Sequence, residues 1–298
     1  MKNKEGEGYV DVAGGKVWYE IVGSGTATPL LLLHGGPGAP SYYLAPLRQL
    51  ADERPIIFYD QLGCGRSDRP KEASLWQLGR FVEELGQVRS ALGLKKVHIL
   101  GHSWGSTLVV EYLLTQQVTG VESLILSGPA LSTPRWLEDT TRLVESLPAE
   151  VQATLKRHEG DGTTDSEEYE QATQEFNRRY FCRLDPLPPE LAKSFEEFGT
   201  DVYQTMWGPS EFHATGHLKS FDRTDRLSEI RIPTLLTAGR YDEATPQTTA
   251  WYQSLIPGSQ MEIFENGSHM TMLEEPALYV RVVREFLSCV DTQTVDQR

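Results

Sequence analysis

A six-residue segment at positions 101–106 (GHSWGS) constrains the fold of this chain more than any other part of it. It fits the pattern Gly-x-Ser-x-Gly, which is typical of a sharp turn from a strand into a helix, where the serine is strained and the glycines leave room beside it. The residues before it, 96–100 (KVHIL), favour a strand, and residues 104–117 repeat apolar side chains with helical spacing. The segment therefore predicts a strand–turn–helix unit that presents Ser103, although an ordinary turn rich in glycine and serine would fit the same pattern.

Strands and helices alternate along most of the chain. Short apolar runs predict strands buried on both faces, and longer amphipathic segments lie between them. The predicted strands cover residues 29–33, 56–59, 121–126, 232–238 and 261–264, and further helices are predicted over about 41–50, 75–92 and 275–289. Two β-prone segments within residues 9–22 predict an antiparallel hairpin at the start. This order predicts the α/β fold class, a mostly parallel sheet flanked by helices that binds ligands at the carboxyl ends of its strands.

The alternation stops at about residue 130. From there to about residue 228 no buried strand is predicted, and charged and aromatic residues recur with helical spacing between prolines and glycines. A segment of this size can form a small domain. We therefore expect an α/β core built from residues 1–130 and 229–298, with residues 131–228 inserted as a helical cap.

The charge balance and the cysteines limit the classes of function. The 298 residues include 28 Lys and Arg against 42 Asp and Glu, a net charge of −14, which argues against binding to nucleic acid or to an anionic membrane. The first residues lack an apolar signal segment and no stretch is long enough to span a bilayer, so we expect a cytoplasmic protein. Cys64, Cys182 and Cys289 lack metal-ligand spacing and are expected to be reduced. No metal or cofactor is expected, and the oligomeric state is left open.

A nucleophilic serine needs a base to accept its proton and an acid to orient that base. In a sheet of this kind these partners follow later strands, in the chain order Ser, then Asp or Glu, then His. Asp242 follows the predicted strand 232–238, and His269 follows the next one. Ser103, Asp242 and His269 are therefore the candidate catalytic triad. Each of the last two could by itself be a solvated surface residue, and Asp60, at the end of its own strand, is the rival acid.

Acyl transfer also needs hydrogen-bond donors for the oxyanion that develops in the transition state. The backbone amide that follows the nucleophile, that of Trp104, is one candidate. The second is an amide of the glycine-rich loop at residues 34–38 (HGGPG), and Gly36 is the preferred position in it because a glycine lets a carbonyl approach the backbone. The alternative for this loop is a plain tight turn.

With these residues assembled, the sequence resembles the proline iminopeptidase family of α/β hydrolases, the prolyl aminopeptidases that include the tricorn-interacting aminopeptidase. Residues 34–38 resemble the family's HGGPG loop, residues 60–67 its DQxGxGRS segment and residues 101–105 its GxSWG elbow, while Asp242 and His269 match its acid and base. The resemblance extends from about residue 8 to residue 288. It implies an α/β-hydrolase fold with a cap and a serine aminopeptidase that releases N-terminal proline or another small apolar residue from short peptides.

The resemblance also assigns substrate-binding residues. In that family, glutamates from the cap and from beside the catalytic acid hold the free amino group of the substrate, and Glu211 and Glu243 occupy the matching positions. Tyr203, Trp207 and Phe212 are either walls of an apolar pocket or the core of the cap itself. The expected partners are short peptides or amino-acid amides with a free amino terminus. The alternatives are an amino-acid amidase or a small-molecule esterase with the same triad, and a catalytically inactive binding protein on this fold.

Overall fold

A computed structural model describes residues 5–296 of the chain. Its strands are β1 (Gly6–Val12), β2 (Gly15–Val22), β3 (Leu30–Leu33), β4 (Ile56–Tyr59), β5 (Val97–His102), β6 (Val121–Ser127), β7 (Thr234–Gly239) and β8 (Gln260–Phe264). Within the described residues they form one sheet in the order β1-β2-β4-β3-β5-β6-β7-β8. Strand β2 pairs antiparallel with β1 and β4, and all other neighbours pair parallel. The predicted α/β class, with an antiparallel start, is confirmed.

The helices alternate with the strands in the first and last parts of the chain. They are α1 (Leu78–Ala91), α2 (Trp104–Thr115), α3 (Thr133–Glu145), α4 (Ala149–Asp161), α5 (Glu167–Tyr180), α6 (Pro189–Glu196), α7 (Thr200–Met206), α8 (Pro246–Leu255), α9 (Thr271–Glu274) and α10 (Pro276–Asp296). The segment Ser41–Leu50, predicted as a helix, is a 3-10 helix with Pro46 inside it. Because proline has no amide hydrogen to donate, a regular α-helix would lose a hydrogen bond there. Two further 3-10 helices are Ala73–Leu75 and Thr224–Glu229.

Strand β3 illustrates why the central strands are apolar throughout. Leu31 and Leu33 belong to a cluster that contains the buried side chains of α1, α2 and α8. Leu30 and Leu32 belong to a second cluster with α10 and the 3-10 helix Ser41–Leu50. Successive side chains of a strand point to opposite faces, so both sets are buried only when helices cover both faces of the sheet.

Helices α3 to α7 lie between β6 and β7 in the chain. Part of this insertion has its own apolar cluster, and α7 joins the cluster of the sheet through Met206. The insertion also bonds to loops at the carboxyl ends of the strands. The Gly199 amide donates to the Gly38 carbonyl at 2.8 Å, and the Tyr180 carbonyl accepts a hydrogen bond from the His269 amide at 3.1 Å. The helices therefore cover the edge of the sheet where ligands bind.

The described part of the chain contains neither a helix that could cross a bilayer nor a cluster of side chains that could hold a metal ion. Over residues 5–296, no helix combines the length and the apolar character needed to cross a bilayer. In the same residues, no group of three or more His, Cys, Asp or Glu side chains is arranged to hold a metal ion. The three cysteines are free thiols, and Cys289 is the exposed one.

Candidate active site

Ser103 occupies a strained turn between β5 and α2. Its φ of 52° and ψ of −120° lie in a region that side chains rarely adopt, and it is the N-cap of α2. A Cβ atom on Gly101 would lie 2.4 Å from the Gly105 carbonyl oxygen, and one on Gly105 would lie 2.2 Å from the Leu33 carbonyl oxygen. Both positions therefore require glycine, since any side chain would push the turn away from the neighbouring strand. The strand–turn–helix unit expected from the sequence is present.

Asp242 and His269 meet beyond the ends of β7 and β8. Oδ1 of Asp242 accepts a hydrogen bond from His269 Nδ1 at 2.7 Å and one from the Ala244 amide at 2.8 Å. Its other oxygen accepts from the Gly239 amide at 3.3 Å. Both side chains are 2% exposed or less. His269 and Ser103 line the same cavity.

The imidazole of His269 is held between aromatic rings. Its centroid lies 5.8 Å from the ring of Trp136 and 5.7 Å from that of Phe181. Behind it, a Cβ atom on Gly128 would come within 2.8 Å of Cε1 of His269, so glycine leaves the room that the imidazole fills. Two of these neighbours, Trp136 and Phe181, come from the inserted segment, which therefore fixes the position of a residue that belongs to the core.

A hydrogen-bonded chain joins the glycine-rich loop to His269. The Gly35 amide donates to the Tyr43 hydroxyl at 2.7 Å. The same hydroxyl uses its own hydrogen to donate to Nδ1 of His102 at 2.8 Å. Nε2 of His102 is then the protonated nitrogen and donates to the His269 carbonyl at 3.0 Å. Burial lowers the pKa of His102 well below its usual value, so the ring stays neutral. His102 lines the same cavity as Ser103.

The two candidate oxyanion donors lie beside Ser103. Gly36 adopts a φ of 107°, and a Cβ atom there would lie 2.5 Å from the Gly38 amide nitrogen, so the loop requires glycine at this position. Trp104 is the first residue of α2, where backbone amides have no partner within the helix. Within residues 5–296, neither of these two amides donates a hydrogen bond. Both are therefore free to bind an oxygen.

Asp60, the rival acid, is committed elsewhere. Its carboxylate accepts hydrogen bonds from Arg66 Nε at 2.7 Å and from the Ser41 hydroxyl at 2.7 Å. These bonds to Arg66 lower the pKa of Asp60 against the effect of its burial, which by itself raises it. His34, at the start of the loop, accepts at Nε2 from the Gln61 amide at 2.9 Å. Asp60 and His34 thus organise two glycine-rich loops and have no direct part in the Asp242–His269 pair.

Glu243 is buried and Glu211 half-buried next to the candidate triad. Oε1 of Glu211 accepts a hydrogen bond from the Tyr203 hydroxyl at 2.6 Å. Glu243 is completely buried, and among the described residues neither of its carboxylate oxygens has a hydrogen-bond partner. Oε1 of Glu243 lies 3.8 Å from Nε2 of His269. Burial raises the pKa of Glu211, and burial together with repulsion from Glu211 and Asp242 raises that of Glu243 well above its usual value.

Two cavities meet at Ser103, Gly36 and Glu211. The larger one, of about 190 Å³, also reaches His269 and Tyr203, and the smaller one, of about 10 Å³, is lined by Trp207 and other apolar side chains. Phe212 lines neither of them. Its ring lies 4.9 Å from that of Phe176 in the apolar cluster of the inserted helices. Of the three aromatic residues considered for the pocket, Phe212 therefore belongs to the cap core.

Trp136 is among the residues of the site that sequence reasoning missed. Its ring packs against His269, its Nε1 donates to the Glu211 backbone carbonyl at 2.8 Å, and it lines the smaller cavity. Trp136 lies in α3, the first helix of the inserted segment. Its position in the chain could have identified it. It lies in the first helix after β6, where the chain leaves the sheet at the edge that carries the site.

A serine at a strand-to-helix elbow, with an Asp–His pair beyond later strands of a mostly parallel sheet, defines the α/β hydrolases. The family model described as the alpha/beta hydrolase fold matches residues 28–276. A proline iminopeptidase of Heyndrickxia coagulans is 49% identical over 286 residues, which cover 95% of this chain and 99% of the relative. This chain belongs to the proline iminopeptidase family of α/β hydrolases, as the resemblance predicted.

Two solved structures are similar to this chain over nearly its whole length. The crystal structure of proline iminopeptidase from Mycobacterium smegmatis matches with a TM-score of 0.89 and 37% identity, over 97% of this chain and 100% of that one. The crystal structure of VinJ matches with a TM-score of 0.91 and 35% identity, over 96% of this chain and 99% of that one. Both matches include the inserted helices, so the similarity is not confined to the core.

Proposed function

We propose that this protein is a serine aminopeptidase that releases proline, or another small apolar residue, from the free amino terminus of short peptides and amino-acid amides. The observation that carries the proposal is the Glu211–Glu243 pair. Two carboxyl groups lie beside a candidate nucleophilic serine, Glu243 completely buried and Glu211 half-buried, and within the described residues Glu243 has no hydrogen-bond partner. Buried polar groups are normally paired, so an unpaired one at such a place is a candidate ligand-binding group. The family relationship supports the same activity.

The chemistry of the pair fits an ammonium group. A protonated prolyl amino terminus carries one positive charge and two N–H donors, enough for one bond to Glu243 and one to the free oxygen of Glu211. Binding it would also favour the ionised forms of both carboxyls, whose pKa values burial raises in the free enzyme. An acetylated amino terminus or an internal peptide bond offers no charge and would leave the carboxyls unpaired. The pair therefore selects the first peptide bond of a substrate.

The proposed reaction is acyl transfer to Ser103. Its Oγ attacks the carbonyl carbon while Nε2 of His269 accepts the hydroxyl proton, and Asp242 stabilises the imidazolium through Nδ1–H. The amides of Gly36 and Trp104 donate to the oxyanion of the tetrahedral intermediate. His269 then protonates the leaving nitrogen, and the C–N bond breaks to give an acyl-enzyme. Water attacks the ester, His269 accepts its proton and returns it to Oγ, and the amino acid is released.

The smaller cavity supports a small apolar first residue. Its free volume of about 10 Å³ is close to that of one water molecule, and Trp136, Trp207 and Phe221 are among its walls. It shares Ser103 and Glu211 with the larger cavity. A methyl group is closest to this free volume, a pyrrolidine ring requires the walls to move apart, and a long or charged side chain would require a larger movement still.

The test is hydrolysis of prolyl-p-nitroanilide compared with its N-acetylated form, an alanyl analogue, a leucyl analogue and p-nitrophenyl acetate. We expect the free prolyl substrate to be cleaved fastest, acetylation to abolish its cleavage, and the leucyl analogue to be poor. Ser103→Ala provides the blank, because it removes the nucleophile. Cleavage of the ester alone would contradict an aminopeptidase and indicate an esterase, and full inertness towards a fluorophosphonate would indicate an inactive binding protein.

A further inference from the structure

The larger cavity extends on the side of His269. It has a volume of about 190 Å³ and is lined by His269 and Ser103, whereas His269 does not line the smaller cavity. In the proposed reaction, the leaving nitrogen must lie within hydrogen-bond distance of His269, because that residue protonates it. The leaving group therefore occupies the larger cavity. This conclusion rests on the proposed function.

Much of the lining of this cavity is apolar. Its lining includes the aromatic rings of Phe181, Phe195 and Phe198 and the aliphatic chains of Leu191 and Met270. Leu191 and Met270 are each 2% exposed, and the rings of Phe181 and Phe195 lie 5.9 Å apart. Such a wall stabilises an apolar side chain by removing it from water. A leaving group with an apolar first residue matches it.

Helix α5 adds two polar groups to the same cavity. Thr173 and Asn177 are four residues apart, so their side chains lie on one face of the helix. Among the described residues, Oγ1 of Thr173 and Oδ1 of Asn177 are buried and have no hydrogen-bond partner. Leaving a buried polar atom unpaired is costly, so both atoms are suited to bind a polar group of a ligand. The peptide or carboxamide group that follows the first residue of the leaving group would supply it.

The charges around the cavity exclude one kind of leaving group. Within the described chain, no lysine or arginine lines the cavity, and Glu211 is its one carboxylate. A dipeptide substrate would place its free terminal carboxylate one residue beyond the scissile bond, inside this lining. Burying an anion without a cation, near another carboxylate, is strongly unfavourable. A carboxamide or a longer peptide carries no such charge at this point.

We propose that the larger cavity is a leaving-group subsite that selects an uncharged leaving group with an apolar first residue, whose next amide group hydrogen-bonds to Asn177 and Thr173. The substrates that it favours are peptides of three or more residues and amidated dipeptides. Dipeptides with a free carboxylate are disfavoured.

The test compares kcat/KM for Pro-Phe-NH2, Pro-Phe with a free carboxylate, and Pro-Lys-NH2, measured by release of proline. We expect the amide of Pro-Phe to exceed the free acid by roughly tenfold or more, which corresponds to about 1.4 kcal/mol, and to exceed Pro-Lys-NH2 as well. Equal values for the amide and the free acid would overturn the charge selection. Equal values for the Phe and Lys amides would overturn the role of the apolar wall.

Two substitutions of Asn177 test the assigned residue. Asn177→Leu keeps the size but removes the polar group, so we expect kcat/KM for Pro-Phe-NH2 to fall several-fold. Asn177→Lys adds a cation, and we expect the ratio of free acid to amide to rise by roughly tenfold. Gln174→Lys, on the exposed side of the same helix, is the matched control and should leave that ratio unchanged. If the ratio in Asn177→Lys equals that in the control, Asn177 does not face the leaving group. A melting curve of each variant identifies a loss of folding, and the Leu variant then provides the test.

Failure of this inference can be distinguished from failure of the proposed function. If prolyl-p-nitroanilide is not cleaved, or is cleaved equally well after acetylation, the aminopeptidase itself is contradicted. If the anilide requires a free amino group while Pro-Phe and Pro-Phe-NH2 react at the same rate, the aminopeptidase stands and the leaving-group subsite is wrong.

Discussion

Asp242 and Glu243 are neighbours in the sequence and are buried to almost the same extent, but their carboxylates belong to two regions with opposite surroundings. Asp242 accepts hydrogen bonds from His269 and from two backbone amides. Glu243 has no hydrogen-bond partner among the described residues, and the nearby acid Glu211 repels its charge. The carboxylate of Asp242 therefore has its hydrogen-bond donors within the protein, whereas the carboxylate of Glu243 has none among the described residues. The difference supports the proposed roles, orientation of His269 for Asp242 and ligand binding for the glutamate pair.

Removing the orienting carboxylate should have the largest effect. In Asp242→Asn the side chain can no longer accept Nδ1–H in the same way and favours the wrong tautomer of His269. We expect kcat for prolyl-p-nitroanilide and for p-nitrophenyl acetate to fall together, by about 10⁴ for the anilide. Steady-state kinetics with both substrates measures this. A variant that loses the anilide activity but retains the ester activity would show that Asp242 belongs with substrate binding.

Removing a charge from the second region should lower the activity on the anilide and leave the activity on the ester nearly unchanged. Glu243→Gln and Glu211→Gln each remove a charged acceptor for the substrate ammonium, and losing one partner of a buried charge pair costs about 2–5 kcal/mol. We expect kcat/KM for prolyl-p-nitroanilide to fall by roughly 10²–10³, while p-nitrophenyl acetate, which has no amino group, changes little. Glu150→Gln, an exposed residue of α4, is the control. Equal losses on anilide and ester would count against amino-group binding.

The sequence predicts a residue of the site when the pattern that places it lies next to it in the chain. Ser103, Asp242 and His269 each follow a strand directly, so the strand pattern and the chain order place them without any knowledge of packing. The surroundings of His269 were not predictable in this way. Its amide donates to the Tyr180 carbonyl and its ring packs on Trp136, and both residues come from distant helices of the insertion.

The aromatic residues of the insertion show the same limit. The sequence pattern does not distinguish Tyr203, Trp207 and Phe212 from one another. In the structure, Tyr203 bonds to Glu211 at the larger cavity and Trp207 lines the smaller one. Phe212 packs against Phe176 in the cap instead. Trp207 and Phe212 lie beyond the end of α7, so no helical spacing predicts which neighbours their side chains meet. The 3-10 geometry of Ser41–Leu50 was missed for a different reason, because its apolar spacing is also compatible with an α-helix.

The acid limb of the pH profile should differ between the anilide, which requires both regions, and the ester, which requires only the first. A glutamate must be ionised to bind an ammonium, and burial raises the pKa values of Glu211 and Glu243. As the pH falls through these raised values, kcat/KM for prolyl-p-nitroanilide should decrease up to about tenfold per pH unit. The ester needs only the triad, so its activity should persist to lower pH. The comparison is made below about pH 7.7, where an α-amino group is still protonated. Superimposable acid limbs would contradict a requirement for ionised glutamates.

The smallest expected effect is on stability, and it has opposite signs in the two regions. Because the pKa of Glu243 is raised in the folded protein, its anion is disfavoured there. This cost is absent below the unfolded pKa and grows as the pH rises towards the folded one. Glu243→Gln removes it, so we expect Tm at pH 8 to rise by roughly 2–8 °C, from about 1–3 kcal/mol, and the gain to shrink near pH 4.5. Asp242→Asn disrupts bonds that are formed, so its Tm should fall. Thermal melts of both variants at the two pH values measure this, and a lower Tm for Glu243→Gln at pH 8 would mean that its carboxylate is paired in the free enzyme.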